Sequence, residues 1–263
     1  MSVLAAIKGL FSCFGREKAP IHPPVQLSGP PWTRSYFSGS AWFDADNCRQ
    51  IDLTDLRGQR CFGGLDLAST RDLVAFSLVF PPLRANEAWR VLVWAWIPQQ
   101  CQGGVSDFAD EYRWLVEQGS LVVAGSEYND SQPVVAAIRK ACADFDVVDI
   151  GFDVYNSNQV MGHPFLGSVR TTRVEPTGKN AGAALKHMEY LLMHGRFQHG
   201  GNPLLGWCAC NASVNRDAQG RLRLSKKHSR GPIAPLTATV LAISRALADE
   251  KVAALYGSAV LRS

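Results

Sequence analysis

A mixed α/β sheet flanked by helices is the architecture this sequence predicts. Three apolar segments of strand character follow one another at about residues 61–68, 73–80 and 89–97. From about residue 105 onward, segments of helical period alternate with short apolar strands. The chain has 263 residues, 46% hydrophobic and 19% charged, so it can bury a sizeable core.

Residues 1–37 read as an N-terminal appendage and Pro-rich arm. Lys8 interrupts the apolar part of MSVLAAIKGLFSCFG, and no A-x-A-like site follows, so an amphipathic helical appendage fits better than a secretory signal. The Pro pairs of KAPIHPPVQLSGPPWTRS disfavour both helix and interior strand. The main domain is placed at 38–250, and 251–263 form a C-terminal tail. Residues 38–59 make a short lead-in that packs on the domain through Trp42. Alternation over 62–67 defines the first strand, and the run 73–80 is its antiparallel neighbour. The third strand, WRVLVWAWI, is expected to load one side with Trp89, Leu92, Trp94 and Trp96 as core residues.

Phe108, Tyr112, Leu115 and Val116 recur at helical spacing and predict a helix over 105–118. A strand at 121–124, a helix at about 132–145, a strand at 147–152 and a strand at about 168–174 follow. The next helix, 181–194, stops at Gly195. A helix or turn follows Pro203, a hairpin spans 213–224, and the last long helix runs from near Pro232 to about Asp249. Three antiparallel strands, then parallel strands between helices, fit a ribonuclease H-like fold.

Composition narrows the function classes. No apolar run approaches the roughly 18–20 residues that span a bilayer, so no membrane role is expected. Seven cysteines form an odd set without a C-x-x-C pair, which predicts free thiols in a reducing cytoplasm. The net charge of +4 permits a nucleic-acid partner without arguing for one.

Two carboxylates stand out. Asp66 lies between Leu65 and Leu67 on a strand and so points away from both neighbours. It reads either as a strand-end turn cap or as a buried ligand for a divalent ion. Asp153 closes the apolar strand of Asp149-Ile150-Gly151-Phe152-Asp153, with Asp149 as a rival on the same face. Ligands gather at the carboxyl ends of strands in open α/β sheets, so Asp66 and Asp153 could converge on one ion. Across 211–230 lie Arg216, Arg221, Arg223, Lys226, Lys227 and Arg230 against a single Asp217. This ribbon is either a solvated charged surface or a sequence-independent contact for phosphates, with Arg221 and Arg223 on one face. Arg71 is a further candidate phosphate contact, and it could instead pair with Asp72. His199, followed by two glycines, reads as part of a structural turn.

The series GGLDLASTRD (63–72), GFDVYN (151–156), GRFQHGGNP (195–203), Trp207 with Asn211, RDAQG (216–220) and Lys226-Lys227 resembles the nuclease half of the terminase large subunit of tailed phages. The resemblance extends over about 38–250. It implies a ribonuclease H-like, metal-dependent endonuclease that cuts concatemeric double-stranded DNA during packaging, in the bacterial host cytoplasm. It also implies three carboxylates holding two Mg²⁺ or Mn²⁺ ions, Asp66 bridging them and Asp153 binding one. Two such ions can activate the attacking water and stabilise the leaving oxygen. The implied partners, besides DNA, are the portal protein, the small terminase subunit or a separate ATPase.

Two departures qualify this. The third carboxylate of the family opens the last helix, where this chain reads Gly231-Pro232-Ile233-Ala234-Pro235. Ala234 stands at the Asp position and cannot ligate a metal, a pattern of catalytic knockout, engineered or fixed in a decayed prophage gene. Glu127, Asp130 and His228 are candidates to compensate, and nothing in their spacing favours any of them. Secondly, no G-x-x-x-x-G-K-[ST] loop occurs, Gly178-Lys179-Asn180 being the nearest approach. The expectation is a nuclease portion without the motor. The alternatives are a catalytically inactive DNA-binding or packaging-assembly module of a defective prophage and, from a different class, a resolvase or transposase core.

Overall fold

The computed structural model describes residues 37, 40–67, 73–84, 86–102, 106–124, 132–153, 160, 163–175 and 179–254. Residues 1–36, Arg71, Asp72, Glu127 and Asp130 lie outside them. Short 3-10 turns at Ser40–Phe43 and Thr54–Leu56 lead into β1 (Arg60–Asp66), β2 (Val74–Phe80) and β3 (Trp89–Pro98). Then come α1 (Ala109–Glu117), β4 (Val122–Ala124), α2 (Gln132–Asp144), β5 (Asp146–Phe152) and β6 (Thr171–Arg173). The second half holds α3 (Lys179–Met193), β7 (Phe197–Gln198), α4 (Pro203–Asn211), the ribbon β8 (Val214–Arg216) and β9 (Leu222–Leu224), and α5 (Ala234–Leu247).

The sheet order is β4-β3-β2-β1-β5-β6, with β7 also paired to β3. β1, β2 and β3 are antiparallel neighbours, whereas β5 joins β1 and β6 joins β5 in parallel. The mixed sheet expected from the sequence is therefore the observed one. β1 sits in the middle with both faces covered, which explains its nearly unbroken burial.

Period two sorts the strand side chains between two cores. Phe62, Ala75, Val79, Val91 and Val93 pack with α3, α4 and α5 on one face. Leu65, Phe76, Leu78, Trp94 and Trp96 pack with Val134, Ile138 and Ala141 of α2 on the other. This corrects one expectation: Trp89 joins the first core, opposite Trp94 and Trp96, because odd and even positions of β3 face opposite ways. α5 is the hub of the first core; every residue in it except Arg245 is buried. Its polar groups are satisfied, Thr239 Oγ1 lying 2.8 Å from the Pro235 carbonyl and 2.9 Å from Ser77 Oγ of β2.

The lead-in docks where His199 is. Gly200 and Gly201 both take φ +66°, a left-handed pair that side chains disfavour, and Asn202 then caps α4 by accepting from the Leu205 N–H at 2.9 Å. His199 stacks on Trp42 at 4.8 Å, and its Nε2 lies 3.0 Å from the Trp42 carbonyl oxygen. Burial pushes the imidazoles of both His199 and His187 down to about 4. Since the unfolded histidines protonate near 6.5, their burial stabilises the fold fully above that pH. The contribution is lost as pH falls toward 4, by at most about 3 kcal/mol per histidine. Urea midpoints measured from pH 7 to 4 should fall accordingly, and less steeply in His199→Gln; an equal fall in that variant would remove His199 as a cause.

Candidate active site

The register brings Asp66 and Asp153 together. Leu65 pairs with Phe152 across the parallel β1/β5 ladder, so the next residue on each chain is an aspartate. Neighbouring strands lie about 4.8 Å apart, placing the two at adjacent carboxyl ends of the sheet.

Two glycines show which face they share. A Cβ on Gly64 would lie 1.9 Å from the Ala238 carbonyl oxygen and 2.6 Å from the Ala242 nitrogen. One on Gly151 would lie 2.9 Å from Arg245 Cγ and 3.2 Å from the Leu241 oxygen. Gly64 pairs with Gly151, so α5 rests on a strip of bare backbone. Asp66, two residues further on, points to that same face, and Asp153 follows the last residue of β5 at the equivalent place. Two strand residues advance about 6.6 Å. One helical turn from Ala238 back to Ala234 advances about 6 Å. Ala234, the buried first residue of α5, therefore sits at the end of the sheet that carries both carboxylates.

Asp66 is 1% exposed, and Lys226 Nζ donates to its Oδ1 at 2.8 Å. The Lys226 side chain is half exposed, so the pair has one buried and one wet end. Asp149, the rival carboxylate, is taken: Arg245 Nε donates to it at 2.9 Å, Thr172 Oγ1 at 2.9 and 3.0 Å, and Arg170 Nε lies at 3.7 Å. It is a structural ion pair between β5 and α5. His228 Nδ1 lies 2.8 Å from Ser225 Oγ, at the base of the ribbon.

The ribbon borders the site. A Cβ on Gly182 of α3 would lie 2.9 Å from the Leu222 oxygen, so β9 packs on the first turns of α3. Arg221 precedes β9 and binds Asp217 at 2.6 Å, while Arg216 Nη1 donates to the Gly220 carbonyl at 3.0 Å. Both therefore brace the turn. Arg223 is half-buried, and Lys227 and Arg230 are exposed. The Lys226–Asp66 contact was invisible in the sequence, because the partners are 160 residues apart and no local spacing links them.

Asp66 and Asp153 fit one hard divalent cation, which needs only one or two carboxylates besides water. They do not fit two. Position 234 offers a methyl group, and an ammonium already lies on Asp66. Among the described residues, no group of three His, Cys, Asp or Glu could share an ion. None of the described helices is long and apolar enough to cross a membrane.

Residues 33–250 match the family model for the terminase large subunit, endonuclease domain. The terminase large subunit of Enterobacteria phage HK97 is 29% identical over 215 residues, 80% of this chain and 41% of that protein. Protein YmfN of Escherichia coli K12 is 21% identical over 227 residues, 82% of this chain and 50% of that protein. The chain thus spans half or less of the length of these relatives. The crystal structure of the HK97 large terminase shares the fold, with a TM-score of 0.65 at 24% identity over 82% of this chain and 44% of that one.

Proposed function

Because the chain belongs to the endonuclease-domain family of terminase large subunits, we propose that it is a DNA endonuclease domain for phage packaging whose hydrolysis is impaired by Ala234. What supports this reading is the register that puts Asp66 and Asp153 at adjacent strand ends, with the buried Ala234 opening the helix that rests on Gly64 of β1.

The chain's own residues divide the work. Asp66 and Asp153 would hold one Mg²⁺ or Mn²⁺, which polarises a phosphoryl oxygen when bound. Arg223, Lys227 and Arg230 would hold the duplex by its phosphates, giving affinity without base recognition. Lys226 neutralises Asp66 when no ion is present, since a buried lone carboxylate is costly. An arriving cation must displace that ammonium, and the half-exposed lysine can swing into water. Removing it as Lys226→Met should therefore tighten Mn²⁺ binding by roughly tenfold, read by titration calorimetry. Unchanged affinity would mean that the ion does not use Asp66.

Lys226 on Asp66 together with Ala234 also favours a second reading, a DNA-binding assembly module that cuts nothing. Supercoiled plasmid with Mn²⁺ separates the two. Slow nicking that Asp66→Asn abolishes supports the impaired nuclease. Tight DNA binding with no nicking above the Asp66→Asn background supports the assembly module. The portal protein, small terminase subunit or a separate ATPase are the partners this reading calls for.

A further inference from the structure

The turn between β9 and α5 carries Lys226, Lys227 and Arg230. Lys227 and Arg230 are exposed and, among the described residues, form no salt bridge. Lys226 instead spends its charge inside the site, donating to Asp66 Oδ1 at 2.8 Å. The Asp66 side chain is 2% exposed and the Lys226 side chain 50%, so the lysine already stands half in solvent. The backbone of the turn is fixed by other contacts. Ser225 N–H donates to the Ser213 carbonyl at 2.9 Å, and Ser229 N–H to the Ser225 carbonyl at 3.0 Å. Arg230 N–H donates to the Asn211 carbonyl at 3.0 Å, and Ser213 N–H to Ser229 Oγ at 3.0 Å. The turn therefore keeps its place when the ammonium leaves Asp66, and only the flexible four-carbon stem has to move.

We propose that Lys226 is a phosphate contact held back by Asp66. A divalent cation that neutralises Asp66 releases it to join Lys227 and Arg230 on the DNA backbone. The proposal rests on the metal-binding and DNA-binding readings above and adds a coupling between them. While Asp66 is charged and alone, withdrawing the ammonium would leave a buried carboxylate without a partner, which is costly. A bound cation removes that cost, and a phosphate can then compete for the lysine. An ammonium suits the exchange, because it is a point charge with no paired geometry to lose when it changes partner. The coupling is reciprocal, so DNA must tighten the cation by the factor by which the cation tightens DNA.

The test is the anisotropy of a labelled duplex of arbitrary sequence, titrated at several KCl concentrations in chelator. Asp66→Asn imitates the neutralised carboxylate with no metal present. It should steepen the slope of log affinity against log salt by about 1 and tighten binding about fivefold. Asp66→Asn/Lys226→Met should return to the parent's slope. Amine labelling read by peptide mass spectrometry separates a direct contact from a mere change of net charge. Lys226 should label several-fold faster in Asp66→Asn than in the parent, and added duplex should protect it in the variant alone. Mn²⁺ added to the parent should reproduce the labelling of the variant. An unchanged slope and unchanged labelling in an Asp66→Asn protein with the parent's melting temperature overturn the proposal. Release in Asp66→Asn without release by Mn²⁺ overturns the cation as the trigger. If the parent and both variants all fail to bind the duplex, the DNA-binding reading itself falls, and the coupling with it.

Discussion

Ala234→Asp is expected to raise Mn²⁺-dependent nicking of supercoiled plasmid by more than about a hundredfold. Position 234 is 2% exposed and begins the helix that lies over Gly64, two residues before Asp66 on β1. A carboxylate there would face Asp66 and Asp153 from the helix side and complete a three-carboxylate set. Without a cation those three would repel one another in a buried place, so the variant should melt earlier than the parent in chelator. Mn²⁺ should then raise its melting temperature more than it raises the parent's. These readouts separate binding from catalysis. An Ala234→Asp protein that gains Mn²⁺-dependent stability yet nicks no DNA would sink the endonuclease reading. A parent chain that nicks as fast as the variant would instead sink the claim that the missing carboxylate matters.

Gly64→Ala is expected to cost more than about 3 kcal/mol, at the upper end for a single added methyl. The atoms it would meet are backbone: the Ala238 oxygen at 1.9 Å, the Ala242 nitrogen at 2.6 Å and the Ala238 carbonyl carbon at 2.9 Å. A flexible side chain could turn aside, but a helix buried on all sides cannot. Gly220→Ala is the control. It has φ +74° and nothing within 4 Å, so only the backbone penalty of about 1 kcal/mol applies. Urea denaturation of the two variants reads the difference. Equal stabilities would mean that α5 does not rest on β1, and the argument that places Ala234 beside Asp66 would fall with it.

Much of the fold was legible because its elements are locally consistent. The apolar runs at about 61–68, 73–80 and 89–97 became β1 to β3 with ends shifted by one or two residues. Asn202-Pro203 opened α4, and the predicted hairpin appeared as β8 and β9. The side assigned to Trp89 was misread because three even-numbered residues of β3, Leu92, Trp94 and Trp96, drew it into their set, although its own number is odd. Within the site, Asp66 and Asp153 could be found one at a time, since each ends or follows an apolar strand. Asp149 was a weaker rival of Asp153 by spacing alone, and the structure shows Arg245 and Thr172, on α5 and β6, holding it.

What the sequence determined by itself was the order of strands and helices, the two strand-borne aspartates, and the alanine at the start of the last helix. Those are properties of short stretches, and hydrophobic period and residue type carry them. Only the tertiary structure decided which side chains meet. Asp66 received Lys226 from 160 residues away, and Asp149 received Arg245 from 96. Such contacts depend on strand order and helix packing, which involve the whole chain at once, and no local spacing encodes them.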